Sequence, residues 1–225
     1  DVVSDLLLAP SDDAVENLLR EGQREDRIHM VGNVMIDSLE LMLPRARSST
    51  VLHRLGLEPD SYFIATLHRP SNVDDRDRLG RLIAIFVEVA RRKPVVFVAH
   101  PRTMALLHAK ERRDLTDGGV TLVEAMGYID FLALEASSSG VLTDSGGVQE
   151  ETTVLGVPCL TLRNETERPV TVTSGTNHVV GMRSDAILHI IEEICSGKRY
   201  DPARPRLWDG HASQRIVRIL EDRYG

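Results

Sequence analysis

Thiol chemistry is nearly absent from this chain of 225 residues, which has two cysteines, Cys159 and Cys195. Their spacing fits neither a metal site nor a redox pair, so both read as buried thiols in a reducing compartment, and a disulfide has no support. Long apolar runs are lacking as well. None reaches membrane-spanning length and no signal peptide is visible, which points to a cytoplasmic protein with no membrane partner. Nor is there an excess of positive charge. Lys and Arg number 27 against 34 Asp and Glu, a net charge of −7 with a pI near 5.6. That balance argues against broad binding to nucleic acid or to anionic membranes. The chain has no repeat of solenoid period, no low-complexity segment and no metal-ligating cluster, and nothing in it calls for a cofactor. Its length permits one large domain or two small ones and can bury about 70–75% of the unfolded surface.

What is present is an alternation. Residues 6–9 read as a short strand, and Ser11 as the N-cap of a helix with Ala14, Val15, Leu18 and Leu19 on its apolar face, stopped by Gly22. A second strand at 28–31 turns at Gly32 and Asn33 into a helix bearing Ile36, Leu39 and Leu43. The polar run 45–50 reads as an interdomain linker. From Tyr62 the order is strand, loop, helix, repeated. Strands are expected at 62–67, 95–99, 121–123, 141–143 and 158–162, with a short one at 178–180. Helices are expected near 75–92, 103–110, 128–137, 148–155, 167–173 and 185–196, and a last one at 212–222 beyond Pro202 and Pro205. The first of these is amphipathic, with Leu79, Leu82, Ile83, Phe86 and Val87 on one side. This alternation predicts an α/β fold, a parallel sheet covered on both faces, with ligands at the carboxyl ends of its strands.

His68, His100 and Ser145 all fall just after expected strands. Ser145, Gly146 and Gly147 form a loop without bulky side chains that opens a helix, the arrangement that presents free N–H groups to phosphate. Glu150 and Glu151 follow near the same mouth, and a carboxylate there suits sugar hydroxyls, so the combination suggests a nucleotide. Asp-Ser-Gly-Gly also surrounds the nucleophile of trypsin-like proteases, but those are double β-barrels and this chain alternates helices with strands. A tight turn with no ligand is the remaining reading of the loop. The other candidates have ordinary readings too. His68 beside Arg69 and Asn72 can be structural, His100 a helix-entry residue, Phe131 a core residue by periodicity, and Arg168 a surface partner of Glu165 or Glu167. His29, His53, His108, His178, His189 and His211 read as solvated or structural.

The run from Thr143 to Glu151 (TDSGGVQEE), with TERP at 166–169, resembles the non-hydrolysing UDP-N-acetylglucosamine 2-epimerases. The resemblance extends to Thr66, His68, Arg69 and Asn72, to His-Pro-Arg at 100–102, and to Gly-Thr-Asn at 175–177 with Gly181. It covers nearly the whole chain in family order. It implies a GT-B-like enzyme of two Rossmann-like domains with the site in the cleft, of which this chain is the C-terminal half. Residues 1–45 would be the tail of the first domain with connecting helices, 46–205 the doubly wound UDP-binding domain, and 206–225 a helix returning towards the first domain. Asp1 is not a methionine and begins a strand-like segment, as a start within a longer protein would.

The activity implied is inversion at C2 of UDP-N-acetylglucosamine to UDP-N-acetylmannosamine, through elimination of UDP and a 2-acetamidoglucal intermediate. On that resemblance His68 is catalytic near the diphosphate. Arg69, Asn72, His100, Phe131 (beside the uracil), Ser145, Gly146, Gly147, Glu151 (on the ribose) and Arg168 bind the substrate. UDP and UDP-sugar are the partners, no metal is required, and the full-length protein is expected to be a homodimer serving cell-surface polysaccharide synthesis. The family's proposed proton-transfer carboxylates belong to its first domain and have no counterpart here. Ser71 and Val170 stand where the family usually has glutamate, and Ser71 opens the choice of another UDP-2-acetamido sugar. A nucleotide-sugar-binding module without turnover, or a glycosyltransferase-like domain, is the alternative.

Overall fold

The structure is a computed structural model that describes residues 2–200 and 203–225. The amino-terminal segment is β1 (Leu7–Ala9), α1 (Asp12–Arg20), a 3₁₀ turn at Glu25–Arg27, and β2 (Ile28–Met30). β1 and β2 pair in parallel as a separate two-stranded sheet. Then come α2 (Val34–Ala46), α3 (Val51–Leu55), β3 (Phe63–Thr66), α4 (Pro70–Val73), α5 (Arg76–Ala90) and β4 (Val95–Ala99). These lead to α6 (Pro101–Leu106), α7 (Ala109–Asp117), β5 (Val120–Glu124), α8 (Tyr128–Ala136), β6 (Gly140–Thr143), α9 (Gly146–Leu155) and β7 (Cys159–Thr161). The chain closes with α10 (Pro169–Thr173), β8 (Asn177–Val179), α11 (Ser184–Cys195) and α12 (Ala212–Tyr224).

The six strands β3 to β8 form one sheet in the order β5-β4-β3-β6-β7-β8, with every pairing parallel. Counted within the sheet this is 3-2-1-4-5-6, the doubly wound Rossmann order, and its direction reverses between β3 and β6. Strand periodicity divides the core in two. Phe63, Ala65, Val95, Phe97 and Ala99 face α5, α7 and α11, while Tyr62, Ile64, Val96 and Val98 face α2, α3, α8 and α9. α5 starts where Asp75 caps it, accepting from the N–H groups of Asp77 and Arg78, and buries Leu79, Leu82, Ile83, Ile85, Phe86 and Val89.

Several expectations are corrected. The expected helix at 103–110 is two helices, because Leu107 is extended and the Glu111 carboxylate accepts from His108 N–H at 3.1 Å, starting a new helix. The helix expected from 167 begins at Pro169, whose missing N–H suits a first turn and whose ring disfavours a helical Arg168. The short helices α3 and α4 have too few residues to show a period. The polar run 45–50 is the end of α2 and a turn, with Ala46 buried within it, Val51 buried just after it, and Ser49 and Arg54 both bonded to Asp130 of α8. α2 therefore packs on α8 and α9 as part of the sheet's cover. Cys159 is buried and its thiol is pushed up to about 12, first by burial, but Cys195, ending α11, is exposed; both are free. Among the described residues no helix is long and apolar enough to cross a membrane.

Candidate active site

The register Thr66↔Thr143 sets the carboxyl ends of β3 and β6 side by side, at the place where an open doubly wound sheet has its crevice. Asp144, the residue after β6, organises that crevice. Its buried carboxylate accepts from the backbone N–H of His68 (3.1 Å) and Arg69 (3.0 Å) and from Asn72 Nδ2 (2.9 Å), and it lies 2.9 Å from His68 Nδ1. Burial pushes this carboxyl up. The His68 side chain, the Asn72 amide and the Arg69 N–H outweigh it and hold the carboxyl below the usual range. Asn72 is fixed further by Leu162 O, to which it donates, and by Arg78 Nε, from which it accepts. The bond to Asp144 puts a hydrogen on His68 Nδ1 and leaves Nε2 as the nitrogen for exchange with a ligand. The ring is 39% exposed, so a ligand can reach it.

α9 opens beside this network. Thr143 Oγ1 accepts the Ser145 N–H, and Ser145 Oγ caps the Val148 N–H. That leaves Gly146 and Gly147, whose N–H groups have no intrahelical partner at a first turn. Ser145 caps the helix through an oxygen lone pair, and its O–H remains to donate. Gly146 has no positive φ, and a Cβ built on it would meet nothing nearer than Glu167 Oε2 at 3.9 Å. Neither backbone conformation nor internal packing demands a glycine there, which is what close approach by an outside group requires. The neighbouring cations are Arg69 and Arg163, both bound to the Glu167 carboxylate, at 3.1 Å and 2.8 Å. Arg163 first, with Arg69, holds that carboxyl down at about 2, against the opposing effect of burial.

The other side of α9 carries Glu150 and Glu151. Arg168 Nε lies 2.5 Å from Glu150 Oε1, so Arg168 pairs there and not with Glu165 or Glu167, although it also donates to Glu167 O. Glu151 is nearly buried and accepts from the Tyr128 hydroxyl at 2.8 Å. Burial pushes the Glu151 carboxyl up, opposed by Tyr128 and Glu135.

A glycine-opened helix N-terminus at a switch point, arginines near its mouth and a carboxylate one turn in stand together at the crevice. The sequence model of the family described as UDP-N-acetylglucosamine 2-epimerase matches residues 1–221. The chain belongs to this family. A Methanocaldococcus jannaschii protein named UDP-N-acetylglucosamine 2-epimerase is 37% identical over 98% of this chain and 62% of its own length. A Pseudomonas aeruginosa protein named UDP-2,3-diacetamido-2,3-dideoxy-D-glucuronate 2-epimerase is also 37% identical, over 98% of this chain and 60% of its own. The crystal structure of the M. jannaschii epimerase with UDP-GlcNAc and UDP superposes with a TM-score of 0.86 at 39% identity, covering 100% of this chain and 62% of that one. The chain thus spans about six-tenths of the length of these epimerases, and its α/β fold with a parallel sheet matches that part of structural neighbours of the GT-B type.

Of the residues singled out in the sequence, the structure gathers His68, Arg69, Asn72, Gly146 and Gly147 around Asp144 and Glu167. Glu151 and Arg168 lie on the next turn of α9 or against it. His100 caps α6, accepting from Arg102 N–H at 3.2 Å, and its ring centroid is 6.4 Å from that of His68, so it borders the site. Phe131 is half-buried and packs against the core cluster of α2, α3, α8 and α9. Asp144, Arg163, Tyr128 and Glu135 had not been singled out. Asp144 stood inside the quoted TDSGG motif, and Arg163 four residues before Glu167, an ion-pair spacing. Tyr128 and Glu135 carried no signal, since only the packing of α8 on α9 brings them to Glu151. The Gly-Thr-Asn element at 175–177 is a brace: Asn177 donates to Gln149 Oε1 and Thr171 Oγ1, and Gln149 Oε1 accepts from Thr166 Oγ1 at 2.5 Å.

Proposed function

We propose that this chain is the UDP-binding half of an enzyme that inverts C2 of UDP-N-acetylglucosamine. The observation that carries the reading is the start of α9, where a glycine that nothing internal requires faces outwards between Arg69, Arg163 and the Asp144-held His68. The C2 proton of the sugar is weakly acidic, so the route runs through departure of UDP, which leaves 2-acetamidoglucal, and its return after protonation of C2 from the other face. The demand on this half is to stabilise negative charge on a leaving diphosphate. Preorganised donors do that best: the Gly146 and Gly147 N–H groups and the two arginines, with His68 beside them as the catalytic group. Glu151 takes the ribose hydroxyls, Arg168 the nucleotide end, and Phe131 and His100 the flanks of the pocket.

Proton transfer at C2 falls to a further domain across the cleft. To that domain the reading assigns the contacts of β1, α1 and β2, where Leu19 of α1 is exposed, as are Val2 and Val3 ahead of β1. The segment 205–215 supports this grouping. Trp208 donates to Pro10 O, Arg215 to Val31 O, and Asp37 accepts from the Ala212 and Ser213 N–H groups at the start of α12. Residues 1–45 with 206–225 are therefore proposed to face the other domain, with α2 shared between the two. Cytoplasmic action and a homodimeric full-length protein complete the reading. A diacetamido uronic acid is the second sugar to test, because Ser71 departs from the family's glutamate and the P. aeruginosa relative's name carries that sugar at equal identity. If Glu151 holds the ribose, Glu151→Gln weakens UDP binding by about 1.5–3 kcal/mol, roughly ten- to a hundredfold, and weakens 2′-deoxy-UDP much less. Calorimetry with both ligands decides; equal losses remove Glu151 from the ribose.

A further inference from the structure

Glu135 is a carboxylic acid in a place where a carboxylate has nothing to live on. It lies in the last turn of α8, fully buried, and neither of its oxygens has a hydrogen-bond donor among the described residues. Glu135 stands two turns after Tyr128 on the face of α8 that packs on α9, which sets its carboxyl beside Glu151, and Glu151 in turn receives the Tyr128 hydroxyl on Oε1. Two acceptor-only carboxylates cannot hydrogen-bond to each other. One of them must hold a proton, and the choice between them is set by their other partners. Glu151 has a donor in Tyr128 and retains some exposure. Glu135 has neither, so the ionised form costs more there.

We infer that Glu135 keeps its proton at neutral pH and donates it to Glu151, making Glu135 a positioning residue for the carboxylate that holds the ribose. The inference rests on the ribose role proposed for Glu151. Tyr128 and Glu135 together fix the Glu151 carboxylate from two sides, so that its remaining lone pairs point in one direction. Such an orientation is worth more to a bidentate diol than a freely rotating acid. The groups that face the pair on every side agree with it. Glu150 on α9 adds negative charge next to Glu151, Cys159 on β7 is a thiol kept protonated by burial, and Tyr128 on α8 is pushed further up by the same carboxylates, after burial. Arg168 pairs with Glu150, and among the described residues no cation pairs with Glu135 or Glu151. Burial first, then the charge of Glu151, pushes the Glu135 carboxyl well above the usual range. A carboxyl raised in this way favours the folded, ribose-ready state most at low pH. That contribution falls as pH rises above the unfolded carboxylate range, and it is lost once Glu135 ionises.

Two variants and two readouts test this on the 225-residue chain. Glu135→Gln keeps a neutral donor of the same shape, and Glu135→Leu fills the volume without one. The infrared spectrum at pH 7 should contain a protonated-carboxyl band that Glu135→Gln abolishes. UDP affinity in the wild type should fall at alkaline pH, when Glu135 ionises. Glu135→Gln should bind within about threefold of wild type and lose that alkaline fall, while Glu135→Leu should bind about tenfold more weakly. Absence of the infrared band at pH 7, or glutamine and leucine variants with equal affinity and identical pH profiles, would overturn the inference alone. A band without any UDP binding by the wild type would instead overturn the ribose reading, and the positioning role with it.

Discussion

At the open edge of Gly146, Glu167 holds Arg69 and Arg163 together, on the ground a diphosphate would need. An incoming diphosphate has to compete with this carboxylate for the same two cations. Glu167→Gln removes the competing charge, so UDP affinity should rise about three- to tenfold at low ionic strength and by less at high salt, since the pair is half-exposed and screened. Calorimetry at two salt concentrations measures it. Weaker binding would mean that Glu167 aims the arginines and does not block them. The pH sign is that of a depressed carboxyl. Its ion pairing contributes to stability above the ordinary carboxylate range, and the contribution is lost as pH falls through about 2. Of these partners the sequence offers only the spacing of Arg163 and Glu167, and it reads Arg168 as a surface partner of Glu165 or Glu167. Only the turn into Pro169, which points Arg168 to Glu150 and leaves Glu167 to Arg69 and Arg163, separates them.

Among the elements, the strand-loop-helix units were legible because buried parallel strands and amphipathic helices carry their own periods. β3 with α5 and β6 with α9 are the clear cases. What periodicity cannot show is the tie between two such units, and here that tie is Asp144, which fastens the loop after β3 to the loop after β6. Asp144→Asn removes the charge and turns one acceptor oxygen into a donor facing two N–H groups. The expected cost is about 1–3 kcal/mol of stability, read from denaturant unfolding. The loss should be local in origin, with the amides of His68 and Arg69 exchanging faster with deuterium while those of α5 keep their protection relative to global unfolding. Unchanged exchange at both amides would show that Asp144 is not what holds the loop. The same limit applies to the polar run at 45–50. Its composition is that of a linker, and its tie to α8, through Ser49 and the nearby Arg54 on Asp130, joins residues far apart in the chain.

On the scale of the whole molecule, the chain carries one complete doubly wound sheet and a two-stranded parallel piece bound to it through α2 and the clasp at Trp208 and Asp37. Sequence order was enough to reveal a parallel sheet with a site at the carboxyl ends of its strands, and the strand order that sets the switch point comes from the structure. It could not reveal how α2 divides its contacts, because a helix with one apolar stripe does not state what covers it. The central claim is a division of labour, with UDP held by this chain and C2 chemistry requiring another wall of the cleft. With the diphosphate facing water on that side, each charge contact counts for less, so UDP should bind weakly, with Kd in the range of about 10 μM to 1 mM. A single proton-NMR sample in heavy water, holding this chain with UDP-N-acetylglucosamine and then with added UDP, tests both halves. The account predicts saturation transfer to the uracil and ribose protons, displacement of the sugar nucleotide by UDP, and a C2 proton signal that persists unchanged. No transfer to UDP at millimolar concentration would contradict the nucleotide site. Deuterium appearing at C2 would contradict the division, and would make His68 the first base to replace.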